Sequence, residues 1–310
     1  MLTVLNVVAP VFAIVAFGYL MVRFKLYPAS GVQGLLTFVN SFVTPFLLFR
    51  AMLTVDFGHA FHPANILPFF VSAFIVFALG IAGGRFLFRN RPGESVATGM
   101  IGMYSNLVLL GLPIISRAYG DEALTIAFTL IGLHAAIMMT TALIVMEVVR
   151  SDGKELPVAI REALSSIVRN PLLIGIAFGF AGNILGVKLP PIAADFIDIM
   201  TRAIVPVALF GLGGALNSYS LRDNWTEALF TSILKLIVHP LIVWTIMVPI
   251  LRVDPDLARY AVIMAAMPSG VNVYIYASYY NRSVDVAANG ILISTVAAVV
   301  TVSVWLAVLG

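Results

Sequence analysis

Residues 103–114 read Met103-Tyr-Ser-Asn106-Leu-Val-Leu-Leu-Gly111-Leu-Pro113-Ile114, and residues 264–276 read Met264-Ala-Ala-Met-Pro268-Ser269-Gly270-Val-Asn272-Val-Tyr-Ile-Tyr276. Each stretch sets a proline, a glycine and an asparagine inside an otherwise apolar run. Proline removes a backbone donor and its ring clashes with the preceding turn, while glycine frees the chain beside it. An unwound backbone at membrane depth survives only where it is buried in protein or lines a wet cavity. Gly111 with Pro113, and Pro268 with Ser269 and Gly270, therefore predict two broken helices whose breaks cross. Asn106 and Asn272 lie within two turns of these prolines, and each amide offers a donor and an acceptor to freed backbone groups or to a ligand. One such segment reads as an ordinary kink. Two at corresponding places point to a site.

The chain around them is built for lipid. Of 310 residues 61% are hydrophobic and only 11% are charged, with a mean hydropathy of +1.03. A soluble domain carries roughly 25% charged residues. Apolar stretches of membrane-crossing length predict an all-α protein of ten spans: 4–22, 32–53, 66–88, 96–117, 123–146, 172–187, 192–216, 228–251, 258–280 and 284–309. The sixth is short and the ninth polar. The first is no cleaved leader, since Arg23 and Lys25 follow its apolar run instead of preceding it. Arg23, Lys25, Arg85, Arg89, Arg91, Arg150, Lys154, Arg161, Arg169, Arg222 and Arg282 fall in odd-numbered loops, against Arg117, Lys188, Arg252 and Arg259 in even ones. By the positive-inside rule the odd loops are cytoplasmic, so both termini are expected outside a plasma (inner) membrane. The longest linker, 147–170, contains a stretch at 158–168 that reads as a small interfacial helix.

An internal repeat organises the spans. Displacing the chain by 161 residues puts Pro10 on Pro171, Ala16-Phe17-Gly18 on Ala177-Phe178-Gly179, Pro45 on Pro206 and Leu48-Phe49 on Leu209-Phe210. A displacement of 164 pairs Met103 with Met267 and Ser105 with Ser269. Five spans is an odd number, so the second copy is expected upside down, as in many secondary transporters. The expected units are a first repeat over 1–147, a linker over 148–170 and an inverted second repeat over 171–310.

The two broken-helix motifs, with Tyr119-Gly120 after the first, Ala277, Tyr280 and Ser294-Thr295 after the second, and Lys235-Leu-Ile-Val-His239-Pro240 before it, resemble the auxin efflux carrier family over the whole chain. The short linker resembles that of its compact prokaryotic members. The resemblance implies a ten-helix fold with helices 4 and 9 crossed, and a cargo of organic anions such as auxin, malonate or a similar carboxylate.

Ionisable residues inside spans are functional candidates. Lys235 and His239 share one helical face and read either as a cationic wall for an anion or as a snorkelling lysine above a packed histidine. Asp198 and Arg202, also four apart, read as an ion pair. Arg50 is expected to reach the outer interface, His134 to be a satisfied core histidine, and Gly175, Gly179, Gly182 and Gly186 to give close helix packing. No Asp or Glu lies in the middle of a span. With no cysteine, thiolate metal sites and thiol nucleophiles are excluded, no cofactor is called for, and dispersed cations argue against nucleic acid. HExxH and GxSxG motifs are absent, so an intramembrane enzyme is disfavoured.

The expected function is alternating-access transport of a small organic anion. Its expected site is Asn106, Gly111, Pro113, Pro268, Ser269, Gly270 and Asn272, with Lys235 and His239. A monoanion leaving a cell at 100 mV, inside negative, gains about 2.3 kcal/mol, which favours export or facilitated movement. Uptake coupled to H+ or Na+ and a transporter-like receptor are the alternatives, and a homodimer is compatible with the chain.

Overall fold

The computed structural model describes residues 2–54, 62–120, 123–149, 169, 171–219 and 223–310, and the described residues contain helices and no strand. Seven helical segments are long and apolar enough to cross a bilayer. They are α1 (Leu2–Arg23, its apolar window beginning at Asn6), α2 (Ala29–Thr54), α3 (Pro63–Leu87), α6 (Leu124–Val149), α8 (Pro191–Leu216), α9 (Trp225–Ile250) and α12 (Val284–Leu309). The short sixth span is α7 (Pro171–Ile184), 14 residues long. The fourth and ninth spans are not continuous helices. The fourth divides into α4 (Pro92–Met103) and α5 (Leu107–Tyr119), and the ninth into α10 (Pro255–Ala265) and α11 (Asn272–Tyr280). The stretch 158–168 lies outside the described residues.

Prolines explain three of the local irregularities. A proline ring displaces the carbonyl four residues back, and the chain accommodates it by widening one turn to a π turn. Thr44, Leu112 and His239, each immediately before a proline, donate their N–H to the carbonyl five residues back, at Val39, Leu107 and Leu234. Pro113 is absorbed in this way and breaks nothing. The first break falls instead at Tyr104-Ser105-Asn106, seven residues before Pro113, which corrects the expected position at Gly111 and Pro113. The Asn106 side chain draws the chain out of helix there, accepting from Leu109 N–H at 3.3 Å, the local competition with the backbone that asparagine offers. The second break, Ala266 to Val271, contains Pro268, Ser269 and Gly270, as expected.

The breaks meet in the core as a two-residue antiparallel bridge between Ser105 and Ser269. Asn106 N–H donates to Pro268 O at 2.8 Å, and Gly270 N–H donates to Tyr104 O at 3.0 Å. The remaining donors are met from neighbouring helices: Ser105 N–H by His134 Nε2 and Ser269 N–H by Ser294 Oγ, both at 3.1 Å. Buried backbone groups must be paired, and here the N–H groups of Ser105, Asn106, Ser269 and Gly270 each have a partner. Gly270 permits the approach, because a Cβ there would stand 2.9 Å from the Tyr104 ring.

Helix contacts repeat across the molecule. α1 packs on the second half of α8 and α7 on the second half of α2. A Cβ on Gly18 would collide with the Phe210 carbonyl, and one on Gly179 with the Phe49 carbonyl. Gly18 and Gly179 are 161 residues apart, and so are Phe49 and Phe210. Gly175 and Gly182 also pack closely, against Pro45 and Leu53. Gly186 does not pack. It has φ +64° with open space around it and turns the chain after α7.

Candidate functional site

The N-termini of α5 and α11 open on one cavity of about 560 Å³, within the range of small-molecule sites. Asn106, Leu107 and Val108 enter it from the first, and Gly270, Val271 and Asn272 from the second. Each helix carries about half a positive charge at this end. The opposite wall is the start of α2, where Gln33, Thr37, Asn40 and Ser41 line the cavity. His134, Tyr104, Ser105 and Arg169 complete its polar groups, and no Asp or Glu is among the described residues that line it. Among the described residues the enclosure therefore combines two converging half-helix N-termini, neutral hydrogen-bonding side chains and the cation Arg169.

The polar groups are unequally satisfied. Asn106 is 5% exposed, and its Nδ2 has no hydrogen-bond partner among the described residues; Ser105 Oγ is likewise free. Asn272 Nδ2 donates to the Tyr104 hydroxyl at 2.9 Å. A buried amide donor left unmade costs about 1–3 kcal/mol, so an acceptor delivered to Asn106 Nδ2 recovers that cost. His134 is buried and bonded, as expected, but it also lines the cavity. Because its Nε2 accepts from Ser105, the ring is neutral in this arrangement with its proton on Nδ1.

The structure brings Asn106, Asn272 and Gly270 to the cavity wall and sets the other expected site residues behind it. Gly111 packs against Met264 and Met267 of the second crossing segment, at 3.1 and 3.2 Å from an imagined Cβ. Pro268 contributes its carbonyl to the bridge, and Ser269 Oγ donates to Ile101 O at 2.8 Å. Pro113 lies in α5 beyond the cavity. Lys235 and His239 are fully buried and do not line the cavity. Lys235 does not snorkel: its Nζ stands 2.7 Å from Ala265 O, at the C-terminus of α10, and 2.8 Å from His239 Nδ1. A carbonyl end of a helix is where a cation belongs, and it holds this one inside.

Charge pairing at the far end of α2 also differs from expectation. Asp198 pairs with Arg50, not with Arg202, and both partners are about two-fifths exposed. α8 is interrupted by a turn at Arg202–Ala203, just where the Pro206 ring displaces the helix, so Arg202 is carried off the face of Asp198 and is exposed. The cavity-lining polar residues of α2 carried a signal of their own. Gln33, Thr37, Asn40 and Ser41 recur at helical spacing along one face of an apolar span.

A family profile described as membrane transport protein matches residues 3–306. The chain belongs to this family. The resemblance to auxin efflux carriers is thereby borne out for a transporter of compact bacterial size, and the family is one of membrane transporters, not enzymes. This transporter is 26% identical over 303 residues to the Rhizobium meliloti (strain 1021) protein named "Putative malonate transporter", covering 98% of this chain and 95% of that one. It is 24% identical over 350 residues to Auxin efflux carrier component 8 of Arabidopsis thaliana, covering 96% and 95%. Similarity to the Lysosomal cholesterol signaling protein of Mus musculus, 25% over 323 residues, covers 95% of this chain but 36% of that one.

Proposed function

We propose that this transporter carries a small carboxylate of the malonate type through the cavity at the crossing, by export or facilitated movement. One observation carries the reading: the N-termini of α5 and α11 converge on an enclosure with no acidic side chain among its described lining residues, where Asn106 Nδ2 stands buried with no partner among the described residues. A carboxylate there accepts from the Asn106 amide and from the first free N–H groups of both half-helices. Asn272 and Tyr104 close over it, and Arg169 with the polar face of α2 guides its approach.

The movement we infer is an exchange between two inverted repeats, residues 1–147 and 171–310, forming ten membrane segments with both termini outside. Support comes from paired contacts. A two-fold that sends the first repeat onto the second turns the Gly18–Phe210 contact into the Gly179–Phe49 contact. It also turns the Gly270 to Tyr104 hydrogen bond into the Asn106 to Pro268 one. Ser105 and Ser269 are then exchanged by the axis and flank it, which makes the crossing a pivot common to both access states. The start of α2, with Gln33, follows the basic loop at Arg23 and Lys25, so the cavity faces the cytoplasm.

Purified protein in liposomes loaded with labelled malonate tests the reading. Saturable efflux that accelerates when the interior is made negative is expected. Efflux no faster than from protein-free liposomes overturns it.

A further inference from the structure

Lys235 and His239 are the one buried pair of basic groups in the described core that substrate binding leaves unused. Lys235 Nζ makes two contacts, to His239 Nδ1 at 2.8 Å and Ala265 O at 2.7 Å, and His239 Nε2 faces Phe69 O at 3.4 Å. Two nitrogens at 2.8 Å cannot both donate. A charged ammonium beside a doubly protonated imidazole is thereby excluded, and the pair holds at most one excess proton.

From this geometry we propose that Lys235 and His239 together form the proton-binding site of this transporter, loaded when the ammonium caps Ala265. The proposal rests on the transport reading above and adds a coupled proton to it. In the loaded form the ammonium donates to Nδ1 and to Ala265 O, and Nε2–H donates to Phe69 O. On release, one Nζ–H bond breaks as the proton passes to Nδ1, and the Nε2–H proton leaves to water. A neutral amine and an Nδ1–H imidazole remain, still hydrogen-bonded with the donor reversed. One proton goes to solvent, and His239 has exchanged one tautomer for the other. The charge that opposed the C-terminal dipole of α10 disappears with it, and α10 is the helix that leads into the second break.

The surroundings suit a proton and not a fixed ion pair. α3, packed on this part of α9, has no titratable side chain over Pro63–Ala82, and its one charge, Arg85, lies in its last turn. The ionisable residues of the other packed elements sit near their far ends: Asp256, Arg259 and Tyr260 in the first turns of α10, Glu94 in α4, Asp285 in α12. Glu227, two turns earlier in α9, is engaged by Asn90 and Thr98. The nearest titratable neighbour is His134. The Phe69 ring lies 5.1 Å from His239 and 5.9 Å from His134, so one phenyl separates the pair from the cavity wall.

Two measurements decide it. Nitrogen-15 spectra of histidine-labelled protein in lipid contain four histidines. The signal missing in His239→Asn is expected to change from the Nε2–H to the Nδ1–H tautomer between pH 5 and 10, and to lose that change in Lys235→Met. A single tautomer throughout overturns the proposal. In liposomes with a trapped pH dye, malonate flux is expected to move protons, and His239→Asn, which keeps an acceptor for the ammonium, is expected to move malonate without them. Wild-type malonate flux with no proton movement overturns the proton site and leaves the transport reading standing. Absence of malonate flux overturns the transport reading, and the spectra then judge the proton site alone.

Discussion

Asn106 has two duties that a single substitution separates. Its Oδ1 caps α5 through Leu109 N–H, while its Nδ2 is free at the cavity wall. Aspartate caps a helix as well as asparagine does but sets a negative charge where an anion is to bind. Asn106→Asp is therefore expected to unfold at the wild-type temperature and to bind malonate far more weakly, read by calorimetry on purified protein. Wild-type affinity in this variant would remove Asn106 from the site. Asn272→Ala deletes one hydrogen-bonding group, about 1–1.5 kcal/mol or roughly tenfold in affinity, and releases the Tyr104 hydroxyl. The asparagines were legible from their place beside the prolines. Lys235 was legible only as an intramembrane charge, because its partner, Ala265 O, is a main-chain group that leaves no mark in the sequence.

At the scale of elements, the contrast between Pro113 and Pro268 explains which breaks can be read. Both prolines lack a donor. Pro113 follows a turn free to widen, and the helix runs on. Pro268 is followed by Ser269 and Gly270, whose N–H groups are taken by Ser294 and Tyr104, so the helix stops. The first break depends on His134 and Pro268 accepting from Ser105 and Asn106, partners 29 or more residues away, and no local pattern announces them. The expected Asp198–Arg202 pair failed similarly, because helical spacing was applied across a turn at Arg202–Ala203. Glycine spacing fared better. Gly18→Val and Gly179→Val both drive a side chain into a neighbouring carbonyl, and each is expected to cost about 1–3 kcal/mol. A Cβ at Gly34 meets nothing within 4 Å, so Gly34→Val should leave stability unchanged. Thermal unfolding of the three variants checks this, and a tolerated valine at both 18 and 179 would contradict the packing described.

At the scale of the whole molecule, the cavity and the Arg50–Asp198 pair lie toward opposite ends of α2, about 25 Å apart from Gln33 to Arg50 at 1.5 Å per residue. The pair is partly exposed and is worth at most about 1 kcal/mol. Breaking it by Arg50→Gln is expected to shift the balance of access states by a few-fold and no more. A Cys-free chain makes this measurable. Cysteine placed at Ile197, 4% exposed here and the counterpart of cavity-lining Leu36 under the 161-residue displacement, should be labelled faster from outside when Arg50 is replaced. Equal rates would show that the pair does not hold that end closed. The same chemistry at positions 1 and 310 tests the orientation, for which labelling from the outside alone is expected. The bridge at Ser105 and Ser269 has a further consequence for how such a carrier diversifies. Its two rungs join main-chain atoms, which mutation cannot delete except through proline, whereas the wall facing it is a row of exchangeable side chains on α2. On the proposed transport reading, cargo preference can therefore drift by single replacements at Gln33, Thr37, Asn40 or Ser41 while the crossing stays intact, so selection can retune what is carried without relearning how to carry it.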